Sequence, residues 1–366
     1  MSTRLTPRFT SRVVYAAAHV VADPNADNGP GQPAVLDWDA TLHFREHLWS
    51  LGFGVADAMD TAQRGMGLDW TATRELIRRS GAAARAVAAG DAAAVPSLLA
   101  CGAGTDQLTA GAQTLSAIQA AYEEQLAVVE EAGARVILMA SRALAASALS
   151  ADDYLEVYGS LLSQASSPVI LHWLGDMFDP ALAGYWGSAN IPTAMATVLE
   201  LINAQPSKVD GIKVSLLNAD HEIELRRQLP EGVRLYTGDD FNYPELIKGD
   251  EAGHSDALLG IFDGIARPAS QALRALDAGD LQTYDRLMTP TVALSRHIFE
   301  RPTFHYKTGL VFLAYLNGHQ DHFRMVGGLE TARDAAHLTE LYRLARTAGV
   351  IDDPEPAEAR FKAVVA

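Results

Sequence analysis

The sequence predicts an α/β chain in which a (β/α)8 TIM barrel is followed by a C-terminal helical extension. Short apolar runs alternate with amphipathic helical stretches, the arrangement that gives a parallel sheet covered by helices. Eight such runs occur. After the eighth the pattern turns wholly helical, with no further strand candidate.

The candidate strands are 13–18, 54–58, 97–101, 136–140, 169–172, 211–214, 234–237 and 257–260. Between them, helices are expected over 37–51, 69–90, 106–132, 152–165 and 268–278, several opening on an aspartate that can cap a first turn. Residues 23–33, rich in Pro, Gly, Asn and Asp, read as a long loop after the first strand. The stretches 281–300, 307–317 and 329–347 carry apolar residues at helical spacing. No flexible linker precedes them, so 280–366 is read as an extension packed on a barrel of residues 1–279.

Composition sets the class. With 366 residues, 48% hydrophobic and 20% charged, the chain can bury a sizeable core. A formal charge of −16 and the absence of any Lys/Arg-rich run argue against nucleic-acid binding, because nothing neutralises phosphates. The single cysteine, Cys101, excludes an internal disulfide framework, and no stretch reaches the roughly 20 apolar residues that a membrane span requires. Residues 1–12 are polar and carry three arginines, unlike a secretory signal. A cytoplasmic protein without membrane or nucleic-acid partners is the expectation.

In such barrels the chemistry gathers at the carboxyl ends of the strands. The polar residues there are His19, Asp60 and Thr61, the Gly102-Ala103-Gly104-Thr105 turn, Ser141 and Arg142, His172 and Trp173, Lys213 and Ser215, and Gly238-Asp239-Asp240. Lys213 is the most informative. It lies within the apolar run Val209-Asp210-Gly211-Ile212-Lys213-Val214-Ser215, and removing an amine from water favours its neutral, nucleophilic form, which attacks carbonyls to form a Schiff base. The plain alternative is an outward-facing lysine paired with an acid.

The order of these motifs resembles the dihydrodipicolinate synthase and N-acetylneuraminate lyase superfamily of class I aldolases. Gly211-Ile212-Lys213 matches the sixth-strand context of the family's Schiff-base lysine. Leu235-Tyr236-Thr237-Gly238-Asp239-Asp240 is similar to its seventh strand ending, and Ser167-Pro168-Val169-Ile170-Leu171, ahead of His172, to its fifth strand. The resemblance implies imine chemistry without a cofactor, a small oxo acid or sugar-derived ketone as substrate, and a homo-oligomer. Two motifs depart from the family. Its Gly-Thr-Thr-Gly-Glu-like loop reads Asp60-Thr61-Ala62-Gln63-Arg64 here, and the tyrosine expected after strand four has no counterpart in Met139-Ala140-Ser141-Arg142-Ala143-Leu144.

Roles follow from these residue types. Lys213 is the nucleophile. His172 is the proton carrier, because an ordinary imidazole titrates near neutrality. Thr61 and Ser215 are relay or orienting groups. Arg142 is a carboxylate clamp or the partner of an acid such as Asp60. Ser141 and Asp60 complete the substrate-binding set, Trp173 is an apolar wall or simple packing, and Asp239 and Asp240 orient hydroxyls or cap the next helix. Two other readings stay open. His19, Asp60, His172, Asp239 and Asp240 form an oxygen and nitrogen set of the kind metal-dependent sugar isomerases use, and a non-catalytic ligand-binding barrel fits the same composition. His319-Gln320-Asp321-His322 reads as a polar turn between helices rather than a metal clip.

Overall fold

The computed structural model describes residues 7–365, so positions 1–6 of the polar stretch 1–12 lie outside the described residues. Among these residues eight strands, in the order β1 to β8, form a closed barrel. They are β1 (Val14–Ala17), β2 (Gly54–Asp57), β3 (Leu99–Ala103), β4 (Arg135–Leu138), β5 (Val169–Leu174), β6 (Val209–Ser215), β7 (Arg234–Thr237) and β8 (Asp256–Leu259). The strands pair in parallel, and β2 to β5 and β8 are buried along essentially their whole length, as strands covered on both faces must be.

The helices are α1 (Trp38–Ser50), α2 (Trp70–Val87), α3 (Leu115–Glu131), α4 (Ala151–Gln164), α5 (Ile191–Ala204), α6 (Ala219–Gln228), α7 (Tyr243–Lys248), α8 (Ala266–Asp277), α9 (Leu281–Ile298), α10 (Tyr306–Leu316), α11 (Ala335–Thr347) and α12 (Pro354–Val365). None is long and apolar enough to cross a membrane. Asp37 caps α1 through Ala40 N, and Ser150 caps α4 in a capping box with Asp153.

Several boundaries differ from expectation for local reasons. Strand β3 begins two residues late because Val95–Leu98 forms a helical turn with a proline in its first positions. Helix α3 starts at Leu115 rather than at 106, since Thr114 supplies its cap while the Asp106 carboxylate accepts from Gln125. Residues 329–334 are not part of α11. They belong to an irregular turn containing Gly327 and Gly328 at φ 71° and 67°, and the helix begins after its cap, Asp334. Helices α5, α6 and α7 follow β5, β6 and β7 as the eight strand-helix units require, and α12 falls within the expected extension 280–366.

By contact density the chain divides into residues 1–73 with 259–366, and residues 74–258. In the first unit, Arg45 of α1 binds Asp57 at the end of β2 through two parallel contacts of 3.1 and 2.8 Å, and also donates to the His19 and Thr41 carbonyls. Both side chains are fully buried. A guanidinium there is tolerated because every direction of its fork meets an acceptor. The helices after β8 pack within this unit, Leu310 and Leu313 of α10 lying against Gly264.

In the second unit the strand register carries the detail that matters most. Val209 pairs with Val169, but Gly211 pairs with Ile170, so Asp210 is an extra, bulged residue. Its carboxylate gathers Arg135 at 2.8 Å, Arg234 at 3.1 Å and the Tyr236 hydroxyl at 2.6 Å. Beyond the bulge Lys213 is in register with His172 on one side and Tyr236 on the other.

Replacing Arg45 with Met strands the Asp57 carboxylate and is expected to cost roughly 3–5 kcal/mol in urea denaturation. The double change Arg45→Met with Asp57→Leu should recover most of that loss. A single variant as stable as the parent would show that the pair contributes nothing.

Candidate active site

Residues paired across adjacent strands point to the same face, and successive residues alternate. Thr237 Oγ1 donates to Glu222 Oε2 on α6 at 2.9 Å, so Thr237 faces the helices, and with it the paired Val214 and Trp173. His172, Lys213 and Ser215 take the opposite face. Of the two readings of Trp173, wall or simple packing, alternation favours packing: this side chain, 2% exposed, lies on the helix side of β5.

Lys213 is 8% exposed. Two glycines make room around its strand. A Cβ on Gly211 would lie 2.6 Å from the Arg234 carbonyl and 2.7 Å from the Tyr236 ring. A Cβ on Gly238 would lie 2.2 Å from Ser215 Oγ and 2.8 Å from both Lys213 Cε and the Val214 carbonyl. Gly238 N donates to that Val214 carbonyl at 2.8 Å, so main chain forms one side of the lysine's cradle.

His172 is completely buried. Its Nε2 lies 3.4 Å from Ser215 Oγ, and among the described residues its Nδ1 meets no hydrogen-bond partner. Burial, reinforced by the charge of Lys213, holds its pKa well below the ordinary imidazole value. The proton-carrier role rested on a near-neutral titration, and that basis is removed: His172 is a neutral imidazole, offering one lone pair and one N–H beside the amine.

The remaining expected residues divide by their partners. Asp239 accepts from Phe241 N, Asn242 N and Asn242 Nδ2, so its carboxylate fixes the turn into α7, and Asp240 is buried next to it in sequence. Arg142 is half exposed and pairs with Asp179 rather than Asp60. Asp60 is half-buried in a short helical turn at 60–62. Ser141 Oγ caps the helix that follows it and bonds Thr105 Oγ1 at 2.6 Å.

Residues 139–144, directly after β4, carry no phenol, yet one arrives from further along. Tyr185 Oη accepts from Ser141 N at 2.9 Å and lies 2.8 Å from Tyr158 Oη, which is 3.3 Å from Tyr122 Oη. Burial pushes the Tyr158 and Tyr185 phenols well above their usual range, so they hold this strand end as neutral groups. No signal short of the fold reveals them, because they come from α3, α4 and the turn after β5. In the first unit Thr61 Oγ1 bonds the Tyr306 hydroxyl at 2.9 Å, with Phe299 stacked on the Tyr306 ring.

The metal set expected at the mouth is committed elsewhere in part. His19 Nδ1 bonds Asp263 at 2.8 Å, and Asp239 serves its turn. Among the described residues the group whose ligand atoms approach within 4.8 Å is His297, Glu300 and His337. These imidazoles stack 4.0 Å apart at 19°, which sets their lone pairs side by side instead of converging, while His337 Nδ1 bonds Glu300 at 2.8 Å and His297 Nε2 the His337 carbonyl at 2.9 Å. The arrangement clamps α9 to α11.

The whole chain, residues 1–366, matches the model of the family described as "Protein of unknown function (DUF993)", and the chain belongs to that family. No curated protein matches it. Solved structures do match along nearly its full length. The prophage protein YagE from E. coli K12, of the dihydrodipicolinic acid synthase family and in complex with pyruvate, gives a TM-score of 0.70 at 13% identity, covering 93% of this chain and 99% of that one. Dihydrodipicolinate synthase from Bacteroides thetaiotaomicron gives 0.67 at 15%, covering 93% and 99%. That from Aquifex aeolicus gives 0.66 at 14%, covering 93% and 99%. The resemblance carried by Gly211-Ile212-Lys213 thus holds at the level of fold.

Burial pushes the Glu222 carboxyl from 4.5 up to about 8, opposed by hydrogen bonds from Ser255 and Thr237. The folded state then keeps a proton that the unfolded chain releases, so this contribution is complete below 4.5 and declines as pH rises to about 8, with a limit of several kcal/mol. Denaturation midpoints of the parent should fall across that interval relative to Glu222→Gln. Parallel pH profiles for the two proteins would show an ionised Glu222 in the fold.

Proposed function

We propose that the protein is a class I aldolase-type lyase or hydro-lyase, in which Lys213 condenses with the carbonyl of a small 2-oxo acid or sugar-derived ketone. The observation that carries this reading is the buried amine on β6, in register with His172 and bounded by the Gly238 main chain. The fold shared with dihydrodipicolinate synthases supports it, and so does a pyruvate complex among the matching structures.

The chemistry follows from the groups present. The Lys213 amine, once it has given up its proton, attacks the carbonyl carbon, forming a C–N bond and a carbinolamine. Loss of the hydroxyl as water gives the imine, whose protonated nitrogen accepts the electron pair released when a neighbouring bond breaks. Addition moves one proton from the amine nitrogen to the former carbonyl oxygen, and expelling the hydroxyl as water takes up a second; a neutral His172 linked to Ser215 Oγ offers an acceptor for the first and a donor for the second.

Borohydride reduction in the presence of pyruvate, followed by peptide mass spectrometry, should place a stable adduct on Lys213 and on no other lysine. Lys213→Ala should abolish it. His172→Asn should slow adduct formation by on the order of 10²-fold, the usual worth of a positioned acid or base. A panel of oxo acids and keto sugars extends the test to the substrate. Failure of every one to label Lys213, with the protein folded, sinks the proposal; turnover abolished by chelator and indifferent to Lys213→Ala would favour metal-dependent isomerisation.

A further inference from the structure

Glu222 is a buried acid on α6, 1% exposed and on the helix side of β7. Ser255 Oγ donates to Glu222 Oε1 at 2.7 Å, and Thr237 Oγ1 donates to Oε2 at 2.9 Å. A buried carboxyl is costly to the fold unless its hydrogen bonds accomplish something. Here one of them runs towards Lys213. Thr237 Oγ1 also accepts from Asp239 N at 3.2 Å, and between these two residues lies Gly238, whose main chain bounds both Lys213 Cε and Ser215 Oγ. From the other direction the Asp239 carboxylate ties the turn forward to Phe241 and Asn242.

We propose that Glu222 is a positioning residue for Lys213: through the Thr237 hydroxyl it fixes the end of β7, and with it the main-chain surface against which the lysine side chain lies. The inference deepens the imine reading, since it names the group that sets the amine's reach and environment. The argument is geometric. Gly238 has no side chain to jam it in place, so its position depends on its Val214 contact and on the hydrogen bonds of its two neighbours. Without Glu222, Thr237 Oγ1 loses its acceptor, turns to another, and releases Asp239 N. The charged groups facing Glu222 are Asp239 and Arg226, and Arg226 is itself paired with Asp250 at 2.9 Å. Neither takes over the contact with Thr237.

The test reads the amine directly and needs no knowledge of the substrate. The full-length protein and its Glu222→Leu, Glu222→Gln and Thr237→Val variants are labelled with trace acetic anhydride across a pH series, and the rate at Lys213 is measured by peptide mass spectrometry against Lys208 and Lys248 as internal references. A loss of overall stability moves all three lysines together; a loss of positioning moves Lys213 alone. The expected result is a change at Lys213 on the order of tenfold in Glu222→Leu and Thr237→Val, with near-parental labelling in Glu222→Gln, whose amide keeps both hydroxyl contacts. Should Glu222→Leu fail to fold, Thr237→Val, which removes only the linking hydroxyl, gives the answer. Parental labelling of Lys213 in folded Thr237→Val overturns the proposal. Failure of the imine reading is seen separately, as a parent protein that yields no reduced adduct with pyruvate, and it leaves the labelling result standing.

Discussion

Everything proposed for this protein depends on which way one strand faces. The bulge at Asp210 inserts a single residue into β6, so that Lys213 rather than Ile212 comes into register with His172. A shift of one residue in a strand exchanges its two faces. Had β6 paired without the bulge, the amine would stand among the helices and an isoleucine would face His172. The bulged residue is held by two arginines and a tyrosine hydroxyl. Ion pairing at one end of the strand therefore fixes the chemistry available near the other.

Much of this was legible in the chain. The eight strands were, because buried parallel strands read as continuous apolar runs, and so was the special standing of Lys213, an amine inside such a run. Helices capped by Asp37 and Asp69 were also visible. What escaped were relations between distant segments. Arg142 carries no mark of its pairing with Asp179, and the phenols that secure Ser141 come from α3, α4 and the turn after β5. Trp173 and His172 are neighbours in sequence, and only the register separates their faces.

The structure also changes the meaning of residues that the sequence named correctly. An imidazole buried beside an amine does not titrate as a free histidine does, and His172 is held well below the ordinary imidazole range. Asp239, one of a pair of acids at a strand end, accepts from two backbone amides and the Asn242 side chain. Local residue type supplied the candidates, and burial together with hydrogen bonding decided what each contributes. The same logic applies to Arg45 and Glu222, two buried polar groups at opposite ends of the pKa scale, each tolerated because its neighbours complete its hydrogen bonds.

The cradle of Lys213 has a further consequence for how such a protein can diversify. Where one side of the lysine's cradle is the main chain of Gly238 and Val214, point mutation has little to grip on that side: exchanging the glycine adds atoms where none fit. Under the imine reading, change on that side is confined to what the strand ends and the loops after them can supply.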